Sequence, residues 1–487
     1  MSINSNQEFS LTSALPLRSR PLHRRYDGVL VGYGLQEQPN LDDRSRSILS
    51  SLFKLTVIAL IVGAAFLLFS SEDTTIETLT PLPKALGNAY KLRVRMTNPQ
   101  GVSRAMAWIE QNGSRFDVMD VRYPGTWKDW VQKGRAPVET EFSVGKDRAP
   151  GLVSGKAKLI IAAKANNLRG IETRLTREIP VVLGHPELHV GKEPAFLRRG
   201  GTGVLSFRVS GEWSEAGVKL GKHAFPSYPS KGDPNNRIAI FGFPPDIDPE
   251  TPLNVYATNL AGNEVTAPFP HHVTKVTFRE REIKIPDAFL NRVVPALDPS
   301  GKGELPARFA KINSEVRRAN DKFLAGLAGK SGSAQLWNGH FQLLTKSSNE
   351  ARFADFRTYL YKGDQLNKEW HLGVDLASVK NAPLPAANKG QVVFAGPLGI
   401  YGNCVVIDHG LGVQSVYGHM SAIQVKEGAT VERGQTIGNT GMTGLAGGDH
   451  AHIGLQIHGV FVDPVEWSLP KWMDKSLTPL LSQIANK

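Results

Sequence analysis

The sequence predicts a mainly β protein: an antiparallel β-sheet domain at the C-terminal end, preceded by β-sandwich-like modules and one transmembrane helix. Three observations lead there. An uncharged apolar run, Leu55 to Phe69, stands near the N-terminus; short alternating segments bounded by Gly, Pro or Asn fill the middle; and Gly-punctuated apolar runs fill the final third. The composition agrees, because 48 Gly and 31 Pro among 487 residues favour many turns. With 41% hydrophobic and 21% charged residues, neither global disorder nor a multi-span transporter fits. A chain this long holds roughly two to four domains at about 100–200 residues each. Its single cysteine, Cys404, excludes an internal disulfide and a thiolate metal cluster, and reads as a small buried strand residue.

The apolar run is fifteen residues long, and Leu52, Phe53 and a snorkelling Lys54 extend it to eighteen, close to the roughly 20 residues that a bilayer requires. We therefore expect a cytoplasmic tail over 1–51, an uncleaved anchor over 52–70 and a Pro-bearing linker over 71–87. Basic residues crowd the upstream flank (Arg18, Arg20, Arg24, Arg25, Arg44, Arg46 and Lys54), whereas SEDTTIETL downstream is acidic, so the positive-inside bias exports everything after about Ser70. Residues 1–54 carry a net charge of only +2, which leaves about +10 of the +12 on the exported part. Such an excess suits a polyanionic surface, either membrane lipid or wall polymer, and export argues against nucleic acid.

Beyond the linker, YKLRVRM, SRAMAWIE, ETEFSV and AKLIIAAKA read as strands of one β-rich module over 88–188. TGVLSFRVS, NRIAIFGF, LNVYATN and KVTFRERE read as strands of a second over 189–280. His185, His189, His223, His271 and His272 share no spacing here and read as surface or turn residues. ARFAKINSEVRRANDKFLAGLA has helical periodicity, with Phe309, Ile312, Val316, Phe323 and Leu324 near one stripe. It is expected to be a helical connector, 281–335, that packs against a neighbour.

Seven of the thirteen histidines lie in the final third. GQVVFAGP, GNCVVIDHG and GVQSVYGHM are antiparallel strand candidates there, and the last domain, 336–470, is expected to build its own core ahead of a short tail, 471–487. HLGVDLA places His371 and Asp375 four residues apart. In AHIGLQIHGV, alternation points His450 and His452 to one face. Two imidazoles crowding one face make sense where one binds a metal and the other moves a proton. Catalytic zinc takes three protein ligands and an open fourth position, and His371, Asp375 and one histidine of the pair supply three; spacing alone leaves open which one.

These motifs resemble the M23 family of metallopeptidases, the lysostaphin-type or LytM domain. The His-x-x-x-Asp motif stands as His371 and Asp375, the His-x-His motif as His450 and His452, and a further histidine in a Tyr-x-His setting as His419. PLPAANKGQVVFAG, IDHGLG, VERGQTIGNTGMTG and VFVDPVEW agree in character and order. The resemblance implies a C-terminal antiparallel β-sheet metallopeptidase domain with one Zn2+ per chain held by His371, Asp375 and His452. His419 and His450 are then catalytic, orienting water or stabilising the oxyanion. It also implies a zinc endopeptidase that cuts peptide cross-links of peptidoglycan; for an anchored protein facing a thin wall between two membranes, a DD-endopeptidase is expected rather than a glycyl-glycine cutter. The setting would be a bacterial inner membrane with the C-terminal region in the periplasm, and the protein partners would be cell-wall synthesis or hydrolysis proteins. The alternative is a non-hydrolytic activator or binding module for another wall hydrolase, the role of family members that have lost ligands. Ala451 and Gly454 replace bulkier family residues and are expected to widen the groove floor. His409 and His458 are candidates to support the site from behind, and Asn338 or His340 to cap the metal.

Overall fold

The computed structural model describes residues 43–130 and 133–485. The expected tail 1–51, with its basic residues Arg18 to Arg25, lies almost wholly outside the described residues. The apolar run contains no helix breaker and forms one helix, Asp43–Phe69. Its segment Ser45–Phe69 has a mean hydropathy of 2.5 and is long and apolar enough to cross a membrane; at 1.5 Å per residue it spans about 37 Å. It begins earlier than Leu52 because SRSILSS continues the helix. This helix is one unit of the described chain, and residues 71–487 form the other.

Two sheets face each other in the first module. Thr75–Thr78, Tyr90–Thr97 and Val138–Val144 make one; Ser114–Arg122, Val102–Gln111, Gly155–Ala165 and Glu172–Val181 make the other, in that spatial order. Strict alternation explains the layer: along Tyr90–Thr97, Leu92, Val94 and Met96 turn inward while Lys91, Arg93 and Arg95 turn out. In the second module, seven strands form one continuous antiparallel sheet, from Glu264–Pro268 at one edge to Pro186–Val190 at the other. A parallel pair, Ala195–Arg198 with His271–Thr274, completes it. Pro186–Val190 pairs with Thr202–Gly211, so the second module starts a few residues before the expected 189.

The final sheet runs Ser348–Ala351, Val374–Ala377, Ala451–Ile457, Val413–Met420, Asn403–Asp408, Gly390–Pro397, Thr430–Val431. Its central strands are buried on both faces, so along Val413–Met420 and Ala451–Ile457 no residue alternates out to solvent, and the polar Gln414, Ser415 and Gln456 are buried with the apolar ones. The segment expected as a connector covers one face. Leu290, Val294, Phe309, Ile312, Leu324 and Leu327 enter the same core as the sheet. Buried Gln414 and Gln456 donate to the carbonyls of Leu327 and Leu324 at the end of the Arg317–Gly326 helix, satisfying groups that helix termini leave open. The strand Glu280–Lys284 also joins, parallel to Phe356–Tyr361. The final domain therefore does not build its core from residue 336 onward; it recruits about 55 residues before that point.

The segment 471–487 is likewise no loose tail over its described residues. Met473, Leu477, Leu481 and Ile484 are buried in that core, and Ile484 bridges to Ser230 of the second module.

Candidate metal centre and active site

Strand register creates the site. Asp375 on Val374–Ala377 lies opposite His452 on Ala451–Ile457, and His452 lies opposite Gly418 on Val413–Met420. His371 enters one strand, His450 precedes the second and His419 follows Gly418 in the third, so five side chains converge at one sheet end. His371 Nε2 lies 3.0 Å from Asp375 Oδ1 and 3.1 Å from His452 Nδ1, which is itself 2.9 Å from the same oxygen. His450 Nε2 is 3.5 Å from it. His371, Asp375, His419 and His452 are all buried, yet with His450 they line a cavity of about 630 Å³.

The chemistry of the donors calls for a cation. His371 Nδ1 donates to the Arg352 carbonyl at 2.9 Å, so in the neutral ring Nε2 carries a lone pair, aimed at a carboxylate oxygen. Burial pushes the His371 pKa down to about 4, so a proton does not resolve that opposition at neutral pH. His452 Nε2 is buried with no hydrogen-bond partner, and its Nδ1 turns to the other two donors. Burial alone would raise the Asp375 carboxyl, but His371, followed by His450 and His452, holds it well below the usual carboxylate range. Two imidazole nitrogens and one ionised oxygen within 4.8 Å of one another form a cluster that can hold a metal ion, and the donor set fits zinc.

The other two histidines are oriented by backbone. His419 Nδ1 donates to Thr443 O at 2.8 Å and His450 Nδ1 to Gly448 O at 2.9 Å, leaving Nε2 of each for other work. His419 has φ 62°, a left-handed conformation that costs a non-glycine residue about 1–3 kcal/mol and is kept where its surroundings enforce it. Burial and the neighbouring His450 push its pKa well down. Burial disfavours the charged form of His450 as well, but Asp375 outweighs burial and raises its pKa.

The sequence model described as Peptidase family M23 matches residues 369–464. The chain carries an M23 peptidase domain. Over 113 residues it is 40% identical to the DD-carboxypeptidase/endopeptidase Mpg of Neisseria meningitidis serogroup B, covering 23% of this chain and 24% of that protein. Over 100 residues it is 38% identical to the peptidoglycan DD-endopeptidase ShyA of Vibrio cholerae serotype O1, covering 20% and 23%. Among solved structures, the catalytic domain of the antimicrobial peptidase lysostaphin from Staphylococcus simulans is 26% identical, with 25% of this chain and 92% of that one covered and a TM-score of 0.22. The chain spans about a quarter of the length of the curated relatives it matches.

Several residues near the M23 motifs lie elsewhere. His409 is fully buried between Lys389 O and the Ser415 hydroxyl, His458 stacks on Tyr228 of the second module, and His340 pairs with Arg433. None of the three lines the cavity, nor does Asn338. Neither Ala451 nor Gly454 lines the cavity: Ala451 is a core residue, and a Cβ on Gly454 would meet Phe461 at 2.9 Å and Leu372 O at 3.1 Å.

Other contributors were not visible in sequence. Arg357 Nη2 donates to Asp375 Oδ2 at 2.9 Å, so the two carboxylate oxygens are divided between a guanidinium and the imidazoles. Gly373 packs flat on His452, where a Cβ would come within 2.6 Å of Cε1 and Nε2. Asp449 takes the Thr440 hydroxyl at 2.6 Å and the Asn381 amide at 3.1 Å, closing the loop before His450. Only Gly373 had a local signal, its place between His371 and Asp375.

Proposed function

We propose that this protein is a membrane-anchored zinc endopeptidase that hydrolyses peptide cross-links of peptidoglycan, of the DD-endopeptidase kind. The observation that carries the reading is the convergence of His371 Nε2, Asp375 Oδ1 and His452 Nδ1 in the wall of a cavity that His419 and His450 also line. Relatives named for DD-carboxypeptidase/endopeptidase and peptidoglycan DD-endopeptidase activity support the substrate class. In this reading one zinc ion per chain is held by His371, Asp375 and His452. Zinc bound there supplies a Lewis acid that polarises a peptide carbonyl and acidifies water.

The protein's own groups do the rest. Asp375 offers a single oxygen inward because Arg357 occupies the other. His419 and His450, each locked by a backbone carbonyl at Nδ1, present Nε2 for proton transfer and for stabilising charge on the scissile oxygen, work worth roughly 10²–10⁴ in rate. The Ser45–Phe69 helix anchors the chain in the inner membrane, and residues after Ser70 face the periplasm. Peptide stems of the wall are the substrate, and other wall enzymes are the protein partners.

Zinc-loaded residues 71–487, a single unit, should convert cross-linked muropeptide dimers to monomers without cutting glycan, lose this activity to a chelator and regain it with zinc. Zinc-loaded protein that leaves every dimer intact while stimulating a separate wall amidase would replace the enzyme with an activator.

A further inference from the structure

The Asp287–Leu297 helix lies outside the stretch that the M23 family model matches, yet it forms part of the cavity wall through Ala288, Phe289 and Arg292. Arg292 stacks over Phe289 on its own helix, with 5.4 Å from guanidinium to ring centre. From there its two Nη groups cross to the loop between His419 and His450: Nη1 donates to Met442 O at 3.3 Å and Nη2 to Ala446 O at 2.5 Å. A planar guanidinium holds two carbonyls at once in a rigid fork, whereas the three donors of an ammonium rotate and impose no such geometry.

What that loop carries makes the contact matter. Thr443 O fixes Nδ1 of His419, and Gly448 O fixes Nδ1 of His450. The first half of the loop has other anchors, since the Leu445 amide donates to Ile400 O and the Thr443 hydroxyl to Met420 O. Past Ala446 the anchors thin out. Gly447 and Gly448 follow, with no atom within 4 Å of where a Cβ would stand, and the chain is next tied at Asp449. The carbonyl that orients His450 thus sits in a two-glycine span fastened at one end by the buried Ala446, whose carbonyl Arg292 holds, and at the other by Asp449 and the His450 amide on Gly441 O. Glycine confers the greatest backbone freedom, so the upstream tie decides how narrowly Gly448 O is placed.

We propose that Arg292 is a positioning residue for the hydrolytic reaction: it holds the Ala446 end of the Gly447–Gly448 span and thereby the ring orientation of His450. The inference rests on the zinc endopeptidase reading for its catalytic consequence and on geometry alone for its structural one. A misplacement of about 1 Å at a proton-transferring group can cost on the order of 10²-fold. Arg292 acts through three intervening residues, so a fall in kcat of about 10-fold is expected.

The test compares Arg292→Met and Arg292→Lys with the parent protein, residues 71–487, loaded with zinc. Arg292→Met should lower kcat about 10-fold with KM and zinc content unchanged, and should speed amide exchange over residues 447–450 while leaving 413–420 protected. Arg292→Lys, which keeps the charge but not the rigid fork, should fall between Met and the parent in both readouts. A kcat within twofold of the parent for Arg292→Met overturns the proposal, as does zinc loss in step with kcat. If the parent itself cuts no dimer, the function reading fails by itself. Exchange over 447–450 then decides the structural claim, an unchanged rate refuting it and a faster one supporting it.

Discussion

Replacing Gly373 by alanine adds one carbon to the sequence of the site without touching any donor atom. The new Cβ would lie 2.6 Å from both Cε1 and Nε2 of His452 and 2.8 Å from Ile453 O. Ordinary carbon contacts lie at about 3.5–4.0 Å, so the imidazole has to retreat by roughly 1 Å. Retreat moves Nδ1, which stands only 2.9 Å from Asp375 Oδ1 and 3.1 Å from His371 Nε2. Overpacking of a tight interior costs about 1–3 kcal/mol. If that cost falls on the form with three donors together, zinc affinity drops by roughly 5- to 150-fold, at 1.4 kcal/mol per tenfold. Competition against a chelator of known affinity measures it, with Gly396→Ala as control, since the nearest atom to a Cβ there is Phe394 Cζ at 3.7 Å. Zinc affinity of Gly373→Ala within twofold of the parent, with Gly396→Ala also unchanged, would refute the claim that ring contact with Gly373 sets the position of His452.

Alanine at His371, Asp375 or His452 should remove most of the zinc, whereas alanine at His419 or His450 should leave it bound and lower the rate by about 10²–10⁴; metal analysis beside dimer cleavage separates the two classes. Glu466 is buried, and burial raises its pKa from 4.5 to about 7 despite Arg198. Its contribution to stability is then complete below pH 4.5 and lost as pH rises to 7, about 3 kcal/mol in all. His409 and His458, pushed down to about 4 by burial, act in the opposite sense, so the readout is the difference between parent and Glu466→Gln. Denaturant unfolding should find that variant gaining on the parent between pH 4.5 and 7, and a constant difference would count against it. A fragment starting at residue 336 strips Leu290, Val294, Phe309, Ile312, Leu324 and Leu327 from the shared core. At about 1.5–3 kcal/mol each, that loss is on the order of 10 kcal/mol, comparable with the whole stability of a domain. It should not unfold cooperatively, whereas a fragment starting near 186 should.

What could be read from sequence was whatever lies close along the chain. The apolar run, the alternation in Tyr90–Thr97, the i and i+4 spacing of His371 and Asp375 and the His-x-His pair are local patterns, and each maps onto a local feature of the structure. The supports of the site are not local. Arg357 reaches Asp375 from 18 residues away, and Arg292 reaches Ala446 from 154; nothing in either arginine's surroundings in the sequence tells it from a solvated charge. The helical stripe through Phe309, Ile312 and Leu324 was visible, but its destination was not. A stripe shows that a face is buried and leaves open which sheet buries it. Gly454 misled for a related reason: strand alternation puts it on the face of His452, but Phe461 of the returning strand Val460–Val462 packs against it, while Ala451 lies on the opposite face, in the core.

The second module is bound to the M23 domain too closely to act as a swinging arm. Ile238 and Ile240 from its seven-stranded sheet sit in the same core as the peptidase strands, and Val460 returns the exchange by entering the core of the module. Around that apolar contact the polar groups are paired. The Trp467 indole donates to the Thr202 hydroxyl, Arg198 reaches both Asp463 and Glu466, and the Lys231 amide donates to Gln483 O. Buried polar groups that lose their partners cost about 1–3 kcal/mol each, so opening this joint would expose apolar surface and orphan several donors together. Any hinge that moves the M23 domain must therefore lie before Pro186, where the seven-stranded sheet begins.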